Sequence, residues 1–147
     1  MRLTLVAALF LFLSGFAKAE NRLIRTECNG NTCRRVYVGS EFENDVIARV
    51  NGERRARGLS PLRISGKLMD VARAWSGVQA RQHRMYHSKN GYGENVAYGQ
   101  KNPSEVMRAW MNSPGHRANI LNAKYSEIGV GAVVSSNGAV YWTQAFK

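Results

Sequence analysis

Gly93–Asn122 reads GENVAYGQKNPSEVMRAWMNSPGHRANILN, and how this stretch must fold decides how the rest of the chain is read. Asn90-Gly91-Tyr92-Gly93 marks a turn, and Glu94 to Tyr98 follows as a short, mostly buried extended piece. Asn102-Pro103-Ser104-Glu105 then offers an N-cap, a proline at the first helical position and a glutamate at the third, which opens a helix running through Trp110. Ser113-Pro114 repeats that signal for a second, short helix to Leu121. His116 therefore falls in a first turn, where backbone N–H groups disfavour an imidazolium. A neutral imidazole is a metal ligand or a hydrogen-bond acceptor. Two carboxylates (Glu94, Glu105), the indole of Trp110 and a further imidazole at His87 crowd the same region, which makes it the candidate site. Glu105 also has a plain structural use at the start of its helix.

Working outward, Ser40-x-x-Glu43 fits a capping box, and Phe42, Val46, Ile47 and Val50 recur at helical spacing to about Arg57. Gly58 ends that helix, and Leu59-Ser60-Pro61-Leu62 is an extended connector carrying two leucines into the core. Ser65 opens another helix, with Leu68, Val71, Ala72, Trp75 and Val78 on the core face. If it continued far enough, His83 and His87 would stack on one side. Their spacing matches the H-E-x-x-H zinc protease pattern, but Arg84 stands where that chemistry needs a glutamate base. Downstream, Glu127–Val134 and Ala139–Phe146 are β-rich runs joined by Ser135-Ser136-Asn137-Gly138, a hairpin signal. Val140, Trp142 and Gln144 alternate with Tyr141, Thr143 and Ala145, so both sheet faces should be covered. Helices first and a hairpin last point to an α+β sandwich rather than a doubly wound sheet.

At the N-terminus, Arg2, the apolar run Leu3–Phe16 and Ala17-Lys18-Ala19 form a secretory signal peptide over residues 1–19, which predicts a soluble product that is secreted, extracellular or periplasmic. Residues 20–40 read as an N-terminal hairpin, and residues 41–147 as the main domain. Export predicts a disulfide between Cys28 and Cys33, pinning the arms of the hairpin. The whole chain carries a formal charge of +11. Loss of Arg2 and Lys18 leaves 19 basic against 10 acidic residues, or +9. Such a charge favours an anionic surface, cell wall or lipid headgroup. Arg54-Arg55-x-Arg57 is the densest basic cluster, but no zinc-finger, RNP or helix-turn-helix signature accompanies it, so no nucleic-acid partner is expected. The expected state is a monomer.

Several motifs occur in one order: Asn51-x-x-Arg54, His87-Ser88, Gly93-Glu94-Asn95-Val96-Ala97, Trp110 to Leu121, Ile128-Gly129-Val130-Gly131 and Tyr141-Trp142-Thr143-Gln144. In this the chain resembles bacterial SCP-like proteins of the CAP superfamily, which also holds cysteine-rich secretory proteins, antigen 5 and plant pathogenesis-related 1 proteins. The resemblance spans about Phe42 to Lys147. It implies an α-β-α sandwich with a central antiparallel sheet and a cleft lined by two histidines and two glutamates. By motif, His87 and His116 match the histidines and Glu94 the first glutamate; Glu105 takes the second place by proximity only. The eukaryotic H-x-T-E/Q pattern is replaced by His116-Arg117-Ala118-Asn119.

His87, His116 and Glu94 together could ligate a divalent cation, zinc first among them, and leave a position for water. No complete nucleophile set is visible. The leading expectation is a secreted, non-enzymatic domain that binds a ligand or a partner protein through its cleft and basic surface. The alternatives are a metal-assisted hydrolase acting on protein or cell wall, with His87 and Glu94 as its base pair, and a lipid-binding carrier.

Overall fold

The computed structural model describes residues 24–29, 32–37 and 40–147. Strands β1 (Ile24–Asn29) and β2 (Thr32–Tyr37) pair antiparallel, with Cys28 opposite Cys33 in the register. The side chains of that pair, and with them the expected disulfide, lie outside the described residues, as does the leader over residues 1–19. Among the described residues no helix is long and apolar enough to cross a membrane.

A four-stranded sheet forms the centre, in the order β3-β5-β6-β4. The hairpin signal holds: β5 (Glu127–Val134) and β6 (Val140–Phe146) pair antiparallel, and Gly138 takes a positive φ of 85° in the turn between them. Strand β4 (Gly93–Tyr98) joins β6 antiparallel. The sheet is nevertheless mixed. Behind Leu62, which is buried as expected, two residues of the connector form β3 (Arg63–Ile64), parallel to β5 at the edge. A two-residue strand has no alternation to read, so only its long-range partner reveals it.

Helix α2 (Gly66–Gln82) covers one face of the sheet, and α1 (Ser40–Arg55), α3 (Pro103–Asn112) and α4 (Pro114–Ile120) lie against the other. On the α2 side the sheet is smooth. A Cβ on Gly129 would meet the backbone of Leu68 and one on Gly131 that of Ala72, so the helix rests directly on β5. The buried face of α2 is rotated from the one expected: Leu68, Met69, Ala72, Ser76, Gln79 and Ala80 point inward, whereas Val71, Trp75 and Val78 are only half-buried. Polar residues enter the core because they find partners. Ser76 Oγ donates to the Gly131 carbonyl (3.0 Å), and Gln79 Nε2 donates to Thr143 Oγ1 (3.2 Å). On the opposite side Val46, Val50, Val106, Trp110, Ile120, Ile128, Trp142 and Phe146 form the main apolar core.

Two charged residues behave unlike their local signals. The capping box expected at Ser40-x-x-Glu43 is replaced by a tertiary contact. Glu43 is buried in α1 and accepts a forked bond from Arg73 of α2, with Nη2 to Oε2 at 2.6 Å and Nε to Oε2 at 3.0 Å. Arg54, part of the densest basic cluster, is 1 % exposed and unavailable to any anionic surface. Its guanidinium donates to the carbonyls of Ser60 (2.8 Å), Ile120 (2.8 Å) and Asn122 (2.9 Å), tying α1 to the exit of α4. Asn51, one turn earlier, bonds both backbone groups of Leu62. Gly58, with φ 72°, closes α1 as expected: the Leu59 amide reaches back to the Arg54 carbonyl and the Gly58 amide to that of Arg55.

Candidate functional site

Helix α2 stops at Gln82 because His83 turns left-handed (φ 49°), the one non-glycine residue with positive φ among those described. The histidine stack at positions 83 and 87 therefore does not form. His83 instead lies 3.2 Å from Ser136 Oγ, away from the rest. The chain that follows is held back on α2: Trp75 Nε1 donates to the Tyr86 carbonyl (3.0 Å) and the Tyr86 amide to Gln79 Oε1 (3.2 Å). Trp75, expected in the core, is spent on this clamp, its ring edge-on to Tyr86.

The clamp delivers His87 to Glu94 at the start of β4. His87 Nδ1 sits 2.8 Å from Glu94 Oε1, the Ser88 amide donates to the same oxygen (2.9 Å), and Ser88 Oγ donates to Oε2. The Glu94 side chain is 6 % exposed, while that of His87 is 61 % exposed. With Nδ1 held on the carboxylate, His87 Nε2 has no partner among the described residues, and the ring is largely exposed.

The second imidazole is brought close by an asparagine clamp. Asn95, fully buried on β4, donates to the His116 carbonyl (3.0 Å), and Asn119 of α4 donates to Asn95 Oδ1 (2.9 Å) and to the Glu94 carbonyl (3.1 Å). Trp110 Nε1 takes the Val96 carbonyl (3.2 Å), so side chains from α3 and α4 occupy acceptors of the edge strand that another chain could otherwise pair with. Neither asparagine was singled out in the sequence reading. The signal available was their place inside two of the motifs, Gly93 to Ala97 and Trp110 to Leu121. Burial lowers the His116 pKa, and the nearby His87 lowers it further. The neutral imidazole expected from the helix start is thus favoured chiefly by desolvation.

Glu105 is placed elsewhere. Oε1 accepts from Asn102 Nδ2 (2.8 Å), Oε2 accepts from the Lys101 amide (2.9 Å), and its own amide donates to Asn102 Oδ1 (2.9 Å). This is a variant of the capping box at α3, in which the carboxylate takes the amide one residue before the N-cap and the side chain of the N-cap itself, and it engages both carboxylate oxygens. Among the described residues no three His, Cys, Asp or Glu side chains lie together so as to hold a metal ion. The expected zinc ligand set of His87, His116 and Glu94 is not gathered into such a group among the described residues: Glu94 lies beneath His87, with its oxygens bonded to His87 and Ser88.

Next to His116 opens a hollow of about 260 Å3. Val96 and the buried Trp110 lie in its floor, Met85 and Tyr98 form its rim, and Gln100 stands in the wall. Met85 (49 % exposed) and Tyr98 (46 %) are two of the three large apolar side chains that the described residues expose. A larger groove of about 430 Å3 lies between α1 and α3, but no histidine lines it, and its Arg49 and Glu53 are paired along α1 with Asp45 and Arg57.

Residues 47–146 match the family model described as CAP, the cysteine-rich secretory protein family. The chain belongs to this family. It is 40 % identical to the uncharacterized protein YkwD of Bacillus subtilis, over 73 % of this chain and 47 % of that protein. The chain therefore spans less than half the length of that relative. It is 24 % identical to the pathogenesis-related protein PR-1 of Medicago truncatula, covering 71 % of each. The CAP fold is likewise that of an outer surface protein from Borrelia burgdorferi (TM-score 0.67, 20 % identity, 73 % of this chain and 92 % of that one). It is also that of an extracellular protein containing a SCP domain from Bacillus anthracis (TM-score 0.65, 23 % identity, 75 % and 41 %). Within this CAP domain His87 is bonded to Glu94, His116 lies close enough to feel the charge of His87, and Glu105 is bonded at the start of its own helix.

Proposed function

We propose that this CAP domain is an exported binding module whose cleft beside His116 holds a ligand or a partner protein without turning it over. The observation that carries this reading is the hollow beside His116, where exposed Met85 and Tyr98 rim an apolar floor. Exposed apolar groups gathered around a concavity mark a contact site more often than scattered ones do. Export is supported by the leader pattern in residues 1–19, and an extracellular setting is named for the B. anthracis protein of the same fold. The test is calorimetry and thermal shift of the full chain against cell-wall fragments, anionic vesicles, peptides and divalent ions, with Met85→Ser and Tyr98→Ser beside it. Binding weakened by both substitutions supports the reading; silence from every probe removes it.

One observation favours a second reading, hydrolysis. The Glu94 carboxylate fixes the His87 ring through Nδ1 and leaves Nε2 unpartnered, the arrangement of a general base that could take a proton from water. Ser88 Oγ bonds the carboxylate rather than the ring, so it is not the nucleophile. Turnover of peptide or cell-wall substrates that disappears in both His87→Ala and Glu94→Gln would establish this role; turnover surviving both would exclude it.

A further inference from the structure

We propose that the hollow beside His116 docks an extended acidic peptide segment by a single large apolar side chain. This rests on the binding reading above and names the class of partner. Three observations meet at this hollow. Its size suits one residue: at about 260 Å3 it falls below the roughly 300 to 1,000 Å3 of pockets that enclose a drug-sized molecule. A side chain of phenylalanine or leucine size suits this volume better than a whole sterol does.

The wall also lacks a donor. Gln100 Oε1 is buried and meets no hydrogen-bond donor among the described residues. An orphaned acceptor of this kind calls for a partner, and the terminal amide torsion that aims it is soft. An extended peptide brings a backbone N–H beside every side chain it inserts.

Charge then selects the flanks. No carboxylate lines the hollow, and the two acids nearest it in the chain, Glu94 and Glu105, are bonded internally. Three lining residues, Met85, Gln100 and His116, are each followed or preceded directly by an exposed basic residue: Arg84, Lys101 and Arg117. Arg84 lies over the Tyr86 ring and Arg117 reaches the Met111 carbonyl, so these cations act as a basic surrounding that favours a segment with Asp or Glu beside its apolar residue over a basic one.

The experiment is fluorescence anisotropy of labelled Asp-Glu-Phe-Glu-Asp with the full chain, at two salt concentrations. Two control peptides carry serine for phenylalanine or lysines for the acids. The acidic phenylalanine peptide binds, weakens in high salt, and loses about tenfold in affinity when the phenylalanine is removed or when Tyr98→Ser or Met85→Ser is introduced. The pair Lys101→Glu and Arg117→Glu weakens it similarly. Equal binding of the lysine peptide, or affinities within roughly twofold in both rim variants, overturns the proposal. If vesicles of phosphatidylglycerol or a muropeptide bind through Tyr98 and Met85 while the acidic peptide does not, the peptide assignment falls and the binding reading stands. If none of these probes binds, the binding reading falls with it.

Discussion

Replacing Arg54 by methionine keeps an unbranched, shorter apolar stem and removes every donor of the guanidinium. Three carbonyls, those of Ser60, Ile120 and Asn122, lose bonds of 2.8 to 2.9 Å, and Tyr125 loses a weaker one at 3.4 Å. Leaving a buried acceptor without a donor costs about 1 to 3 kcal/mol, less where water can enter. The Ile120 contact is buried and the others are partly so, which sets the total at roughly 3 to 5 kcal/mol. A domain of this size holds about 5 to 15 kcal/mol in all, so the variant loses from about a fifth of its stability to nearly all of it, and stays folded where the wild-type value lies toward the upper end. Urea unfolding followed by the fluorescence of Trp110 and Trp142, both buried, reads the loss at unchanged slope. Hydrogen exchange should place the first opening at the exit of α4. Arg54→Lys should recover part of the stability, because an ammonium reaches some of these carbonyls but cannot fork. A loss below about 1 kcal/mol in Arg54→Met would refute the view that this side chain fastens α4 and, through it, His116.

Gly131→Val drives a side chain into the backbone of Ala72, so the variant should lose about 3 kcal/mol or fail to accumulate, as seen by thermal melts, while Gly52→Ala, with open space at its Cβ, should not. Asn119→Ala removes the bonds to Glu94 and Asn95; a loss of about 1 to 2 kcal/mol is expected, with NMR showing the His116 ring shifted relative to His87. For His116 itself the sign is set by a folded pKa below the ordinary value of 6.5. The unfolded chain takes up the proton first, so the stability this residue contributes is present above pH 6.5 and is lost as the pH falls through the folded value. His116→Phe should flatten that part of the stability curve in acid titrations. Glu94→Ala frees three donors at once and should release the loop at His87, detected as faster exchange of the Ser88 amide.

The Asn102 cap and the hairpin turn were legible because each is a local arrangement, whereas Ser65 and Ser113 stand at their helix starts without a side-chain cap bond. Asn102 caps α3 through groups three residues apart, and Gly138 supplies the positive φ that the β5–β6 turn needs. The ordered motifs likewise sufficed to name the family and to nominate His87, Glu94 and His116. What they could not supply was partnership across the chain. Glu43 looked like a cap and became the mate of Arg73, 30 residues away; Arg54 looked like surface charge and became a buried tether to carbonyls 66 and 68 residues on. Glu105 stood near the site in sequence, yet its oxygens went to its own helix start. A hydrogen-bonding side chain declares what it can bond, and that is fixed by its chemistry. Which partner it meets is fixed by packing, since only the assembled sheet and helices decide which groups are left without water and must be satisfied by one another.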